Sequence, residues 1–372
     1  MVDLQLQYQK ISKEIDEAIH DVVVSTKFIN GPTVKEFAED LATYLHVKNV
    51  VPCANGTDAL QIAMMALNLQ PGDEVILPAF TYVATAEVIA LLRLTPVMVD
   101  VDSKTFLIDC DQLEKAITPK TKAIVPVHLF GQCADMERIM QIAAQYNLYV
   151  IEDTAQAIGA DYTFSDGRKM KAGTIGNIGA TSFFPSKNLG CFGDGGAMFT
   201  NDDTIAKRLK MIANHGQTIQ YQHDDIGVNS RLDTIQAAVL KVKLKYLDEY
   251  AKARNIVADY YDKAFQNHPN LLVPQRVKNS THVFHQYTLQ TKNIDRDELR
   301  KYLGENDIPA MVYYPIPLHH QKAYADKRYD GKLPITENLC KCVISLPVST
   351  EMDEEQLDFI STHVLQFCNS KK

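Results

Sequence analysis

Between about residue 48 and residue 200 the chain alternates short β-rich runs with amphipathic helical stretches, and this alternation constrains the fold more than any other feature. Runs at 50–51, 74–77, 97–101, 123–127 and 149–152 read as strands, and 56–67, 82–92 and 136–146 read as helices between them. Parallel strands need a crossover connection, usually a helix, whereas antiparallel neighbours need only a turn. The pattern therefore predicts a mostly parallel, doubly wound α/β sheet covered on both faces.

The flanks differ. Ile11, Ile15, Ile19 and Val22, and after Asn30-Gly31-Pro32 the series Val34, Phe37, Leu41 and Leu45, recur at helical spacing. Two neighbouring strands at 180–184 and 197–200, joined by a Gly-rich connection, precede a helix at 202–214 and one long helix over 232–265. The stretch 269–274, bounded by two prolines, marks a boundary in the pattern. Strands at 283–290, 308–312 and 343–346 and helices at 296–305, 335–341 and 353–367 then make a small α+β unit. The domains are assigned as 1–245 and 246–372, with only 369–372 expected to fray.

At 372 residues the chain exceeds one small core. With 38 Lys+Arg against 46 Asp+Glu and no dense basic stretch, it is not expected to bind nucleic acid. No apolar run reaches the roughly 18 residues of a bilayer span. The opening Met-Val-Asp-Leu-Gln has no basic and apolar leader, which together predicts a cytoplasmic protein. Seven scattered Cys fit reduced, buried thiols rather than a disulfide framework, and no metal ligand set is assigned.

Three polar clusters fall at the predicted carboxyl ends of strands, where open α/β sheets bind ligands. The first, Asn55-Gly56-Thr57-Asp58, enters a helix whose N-terminal N–H groups suit a phosphate; the plain alternative is an Asn-Gly turn with Thr57 or Asp58 as helix cap. The second, Glu152-Asp153-Thr154-Ala155-Gln156, ends a buried strand, where a carboxylate needs a cationic partner or serves as a cap. The third places Lys187 between an aromatic strand and a Gly-rich turn. It is either a surface lysine or an amine in a confined pocket able to condense with a carbonyl. A phosphate cradle, a carboxylate for a pyridinium nitrogen and an amine for an aldehyde are together what pyridoxal 5'-phosphate requires. A dinucleotide site is not supported, because no G-x-G-x-x-G follows a strand.

With Phe28-Ile29-Asn30-Gly31-Pro32, Asn55-Gly56-Thr57-Asp58-Ala59-Leu60, Phe80-Thr81-Tyr82-Val83-Ala84-Thr85, Glu152-Asp153-Thr154-Ala155-Gln156, Ser182-Phe183-Phe184-Pro185-Ser186-Lys187, Gly227-Val228-Asn229-Ser230-Arg231-Leu232-Asp233 and Tyr314-Pro315-Ile316-Pro317-Leu318, nearly the whole chain resembles the DegT-type sugar aminotransferases. The likeness is greatest to the group acting on UDP-2-acetamido-2-deoxy-3-oxo-glucuronate. The resemblance implies the type I aspartate-aminotransferase fold, with a large pyridoxal phosphate domain and a smaller C-terminal α+β domain. It also implies glutamate as amino donor, a nucleotide-linked keto sugar as acceptor, and a role in surface polysaccharide synthesis. By resemblance Lys187 is the Schiff-base lysine and Asp153 the partner of the ring nitrogen, with Gln156 near the ring hydroxyl and Tyr82 stacking on the ring. Thr57, the backbone at Gly56 and Asp58, and Ser182 are expected on the phosphate. Asn229 is expected to reach the phosphate from a neighbouring subunit, which requires a homodimer with shared active sites. Arg231, Tyr313, Tyr314, His319 and His320 border the sugar pocket.

One position departs from the pattern. Uronate-handling members carry His-Tyr before Pro-Ile-Pro-Leu, where this chain has Tyr313-Tyr314. The retained Arg231 can still hold a carboxylate bidentately, while Tyr313 is equally readable as a packed aromatic. Amination at C4, or of a dTDP-linked 3-oxo-6-deoxyhexose, stays open. Dehydrating relatives carry His in place of the lysine, so Lys187 favours transamination. A non-catalytic regulatory relative is the rival class, and a His319-His320-Asp326 metal site is disfavoured because adjacent histidines are expected to diverge.

Overall fold

The computed structural model describes residues 2–370. Two amphipathic helices lead the chain. Helix α1 (Leu4–Ser25), whose first turn is capped by the Asp3 carboxylate on the Leu6 N–H, buries Gln7, Ile11, Ile15 and Val22. Helix α2 (Pro32–Leu45) has proline at its first position, where no N–H is needed, and buries Phe37, Leu41 and Leu45.

The expected alternation follows: β1 (Asn49–Cys53), α3 (Gly56–Ala66), β2 (Glu74–Pro78), α4 (Ala84–Leu91), β3 (Thr95–Val99), α5 (Cys110–Lys115), β4 (Thr121–Ile124), α6 (Met136–Tyr146), β5 (Tyr149–Asp153), a small hairpin of β6 (Asp161–Thr163) and β7 (Lys169–Lys171), then β8 (Ile178–Ser182), β9 (Gly196–Thr200) and α7 (Asp203–Ala213). Seven of these strands form one sheet in the order β1-β9-β8-β5-β4-β2-β3. The pairs from β8 to β3 are parallel, and β9 runs antiparallel to both β8 and β1. Helix α3 packs Leu60, Ala63 and Met64 against one face, and α6 packs Ile139 and Ile142 against the other. The mostly parallel α/β sheet read from the alternation is therefore present, as is the small α+β part.

Beyond the sheet come an exposed hairpin of β10 (Gln217–Ile219) and β11 (Gln222–His223), then α8 (Thr234–Leu244) and α9 (Leu247–Phe265). The small sheet is β12 (Leu271–Leu272), β13 (Tyr287–Thr291) and β14 (Val343–Leu346), all antiparallel, with α10 (Arg296–Glu305), α11 (Pro334–Cys342) and α12 (Glu354–Ser370). Between α10 and β14 the chain returns to the large sheet. There Leu318, Tyr329 and Leu333 join the α3 core, and Leu339, Cys340 and Val343 pack with Phe80, Phe106 and Phe130.

Several expectations are corrected. The single helix over 232–265 breaks at Lys245-Tyr246, whose N–H groups bond three residues back, to Val242 and Lys243. The break re-aims the buried stripe, because Val239 and Val242 face α1 while Val257 and Tyr261 face the small sheet. The strand expected at 283–290 starts only at Tyr287. Its first residues instead cross residues 130–132, with the Val283 N–H donating to the Gly131 carbonyl at 2.8 Å. The stretch 308–312 is no strand: Pro309 has no N–H to give a ladder, and only Met311 bridges Ser345. The boundary stretch 269–274 contributes β12 to the edge of the small sheet. Helix α12 continues through Ser370, so 369 and 370 are helical, and 371–372 lie outside the described residues. Among the described residues no helix is long and apolar enough to cross a membrane.

Candidate active site

The strand register brings the first and third clusters together. Gly196, opening β9, lies opposite Cys53 at the end of β1 and Ser182 at the end of β8. The entry to α3 presses on this junction: a Cβ on Gly56 would sit 2.7 Å from the Ser182 Cβ, and one on Gly196 would sit 2.5 Å from the Asn55 carbonyl. Only glycine permits that approach, which brings the α3 N-terminus against Ser182. The cap is Asn55 rather than Thr57 or Asp58, its Oδ1 accepting from the Asp58 N–H at 2.8 Å. The Asp58 N–H is thus bonded within the cap, while those of Gly56 and Thr57 have no intrahelical acceptor. The Asp58 carboxylate accepts from Ser230 Oγ at 2.6 Å, which in turn accepts from the Ala54 N–H at 3.0 Å.

On the neighbouring strand, Asp153 ends β5 opposite Ala180 of β8 and is only 8% exposed. Its Oδ1 accepts from the Ala155 N–H at 3.1 Å and its Oδ2 from Thr85 Oγ1 at 3.0 Å. Burial pushes this carboxyl above the usual range; the Ala155 N–H, the Lys187 ammonium, the Thr85 hydroxyl and His128 oppose the rise. Lys187 sits in the turn after β8, its N–H donating to the Phe184 carbonyl at 2.8 Å. Burial lowers its amine to about 8, partly offset by attraction to Asp153. Asp153 and Lys187 thus share one electrostatic environment, and the two sequence clusters that carry them converge.

Glu152, the other carboxylate of that cluster, is structural. It accepts from the N–H groups of Gly173, Ile175 and Gly176 at 2.9, 2.7 and 2.6 Å and contacts His128 Nε2 at 2.9 Å. Because His128 Nδ1 accepts from the Ala134 N–H at 3.1 Å, the ring proton lies on Nε2 and donates to Glu152. Gln156 Oε1 accepts from the Phe130 N–H at 2.7 Å, and Nε2 donates to the Tyr314 hydroxyl at 3.2 Å. Tyr82, 58% exposed in the turn before α4, stands with its ring 6.1 Å from that of Tyr314. The helix expected from 82 begins at Ala84, which frees Tyr82 from helical geometry. Tyr313 packs with Tyr314 beside the Phe80 and Phe106 cluster. Arg231 is partly buried, and Asn229 is exposed, on the segment leading from the β10–β11 hairpin to α8.

The histidines go elsewhere. The His319 and His320 rings lie 4.2 Å apart and do not diverge. Their Nε2 atoms approach Glu337 of α11, at 3.3 and 3.8 Å, while Asp326 binds Arg328. A cation on His319 Nε2 would force the proton onto Nδ1, which is buried without a partner. Sequence reasoning missed Thr85, Asn55 and His128. Thr85 lay in a quoted motif, and His128 directly follows a predicted strand.

Fold and comparisons first define the class, a pyridoxal phosphate-dependent aminotransferase of fold type I. The chain belongs to the DegT/DnrJ/EryC1/StrS aminotransferase family, whose sequence pattern matches residues 9–365. It is 45% identical to the "Pleiotropic regulatory protein" of Geobacillus stearothermophilus over 99% of this chain and 98% of that one. It is also 45% identical to the UDP-2-acetamido-2-deoxy-3-oxo-D-glucuronate aminotransferase of Pseudomonas aeruginosa, over 96% of this chain and 97% of that one. The crystal structure of NtdA from Bacillus subtilis with bound pyridoxamine phosphate superposes with a TM-score of 0.89 at 34% identity, covering 97% of this chain and 82% of that one.

Proposed function

We propose that this aminotransferase moves the amino group of glutamate to C3 of a UDP-linked 2-acetamido-3-oxo hexose or hexuronate, for surface polysaccharide synthesis. The observation that carries the reading is the half-buried Lys187 electrostatically coupled to the buried Asp153, beside the glycine-lined α3 N-terminus. These residues fit pyridoxal phosphate: the open N–H groups of Gly56 and Thr57 with Ser182 suit its phosphate, Asp153 its ring nitrogen, and Lys187 its aldehyde. Bound there, the cofactor supplies an electrophilic carbon and an electron-withdrawing ring. With the cofactor held there, Lys187, its amine lowered to about 8, would be the base that moves the proton of the donor Cα. Asp153 would hold the ring nitrogen protonated, Gln156 would lie near the ring hydroxyl, Tyr82 would stack on the ring, and Tyr314 would border the sugar pocket.

Arg231 is the cation available for a sugar carboxylate, and Tyr313-Tyr314 favours a neutral hexose over a uronate. Amination at C4 or of a dTDP-linked 3-oxo-6-deoxyhexose is the second reading. Asn229, exposed on the segment that follows a hairpin with exposed Ile219, Tyr221 and Ile226, supports a homodimer in which it completes the partner's phosphate site. In this reading 1–245 carries the cofactor and 246–372 closes the sugar side.

The test is turnover of a panel of UDP- and dTDP-linked 3-oxo and 4-oxo sugars with glutamate, with the product position read by NMR. A UDP-linked 3-amino product, absent with Lys187→Ala, is expected. Normal turnover by Lys187→Ala, or amination only at C4, overturns it.

A further inference from the structure

The carboxylate that ends β5 is fixed more closely than its strand requires. Its backbone is held on both sides, the Asp153 N–H donating to the Pro126 carbonyl at 2.9 Å and the Asp153 carbonyl accepting from the His128 N–H at 3.0 Å. Its side chain receives two further donors, one on each oxygen. The Ala155 N–H on Oδ1 comes from its own turn, whereas Thr85 Oγ1 on Oδ2 comes from a different element, α4. Two donors on two oxygens fix the plane of a carboxylate, and each oxygen keeps a lone pair for a third partner.

Thr85 is fully buried, and nothing in its own helix needs its hydroxyl. It is the second residue of α4, whose N-cap Val83 makes no side-chain cap bond. The hydroxyl instead ties the first turn of α4 to the Asp153 carboxylate. The ionisable groups facing Asp153 are Lys187 after β8, His128 after β4 and Tyr314 of the returning segment. Thr85 is the neutral donor among them that comes from outside the Asp153 turn.

We propose that Thr85 is a positioning residue, whose hydroxyl holds the Asp153 carboxylate ionised and oriented toward the ring nitrogen of pyridoxal phosphate. The inference rests on the assignment of Asp153 to that nitrogen made above. Thr85 touches neither substrate nor cofactor in this arrangement and acts through Asp153 alone.

The measurement is the dissociation constant of pyridoxal phosphate from the full-length apoprotein, by equilibrium dialysis across the acid and neutral range. Thr85→Val removes the hydroxyl at nearly constant volume, and Thr85→Ser keeps it. Losing a bond to the charged carboxylate should weaken cofactor binding about tenfold at neutral pH. The acid limb, where affinity is lost as Asp153 protonates, should move up by about one pH unit, because the carboxyl titrates higher without its donor. Thr85→Ser should restore both values. If Thr85→Val binds as the parent does at every pH, or only unfolds at lower urea with its acid limb unmoved, the inference falls. Should Thr85→Val not fold, Thr85→Ala is read the same way. Asp153→Asn separates the two claims: if it loses affinity while Thr85→Val does not, only the role of Thr85 fails. If it binds as the parent does, the site assignment itself fails.

Discussion

Lys187, half-buried, and Lys243, buried, are amines with no carboxylate in hydrogen-bond reach among the described residues. Lys243 donates to Gln7 Oε1 at 3.0 Å and lies 5.0 Å over the Phe192 ring; like Lys187, it is lowered by burial to about 8. An unfolded lysine titrates near 10.4. Between about 8 and that value the unfolded chain binds more protons than the folded one, so each lysine makes the apoprotein more stable as pH rises. Cys110, Cys133 and Cys340, pushed up to about 12 by burial, act in the opposite sense, because their unfolded thiols ionise first. The lysine contribution therefore has to be read as a difference. The stability of the parent minus that of Lys187→Met or Lys243→Met, from urea unfolding of the apoproteins, should grow by about 2 kcal/mol from pH 8 to pH 10. A flat difference would show that these amines are hydrated. At this scale the sequence named Lys187 and Asp153 through their motifs. Lys243 was unreadable, because its burial comes from α1 folding over α8 from more than 200 residues away.

Among the elements, α3 ties stability to the site. Its Asn55 cap fixes the first turn, which packs closely against Ser182. Asn55→Ala should cost about 1 kcal/mol in urea unfolding. It should also weaken cofactor binding, since the first turn loses its anchor; unchanged affinity with lowered stability would separate the cap from the site. The alternating elements were legible because each parallel strand needs a crossover helix, which imposes one period after another on the sequence. Less legible were the break at Lys245-Tyr246 and the late start of β13, where the local pattern continues unchanged. In both places a distant partner, α1 or the 130–132 segment, decides where hydrogen bonds go. The α5 helix and the β6–β7 hairpin were missed for a related reason: six- and three-residue elements carry too few periods to be recognised.

At the scale of the whole molecule, the assignment of Asn229 to a partner subunit makes a sharp prediction. Lys187→Ala and Asn229→Ala are each expected to be inactive as homodimers. When the two are unfolded together, refolded and mixed, half the dimers pair one of each. One site in such a dimer has both residues intact, so about a quarter of parental activity should return. No recovery would place Asn229 in its own subunit's site or remove it from the site. The exposed Tyr221 and Ile226, which precede Asn229 in the chain, are apolar surface such a partner would cover.

The sequence by itself determined the alternating α/β architecture and which clusters carry chemistry, because period, glycine placement and residue type are local properties written along the chain. Only the tertiary structure decided who stands beside whom. Thr85 reaches Asp153 across 68 residues, Glu337 rather than Asp326 takes the two histidines, and Asn55 rather than Thr57 caps α3. Such pairings depend on strand order and on where a returning segment packs. Those are set by the burial of the whole core, and no short stretch of sequence contains them.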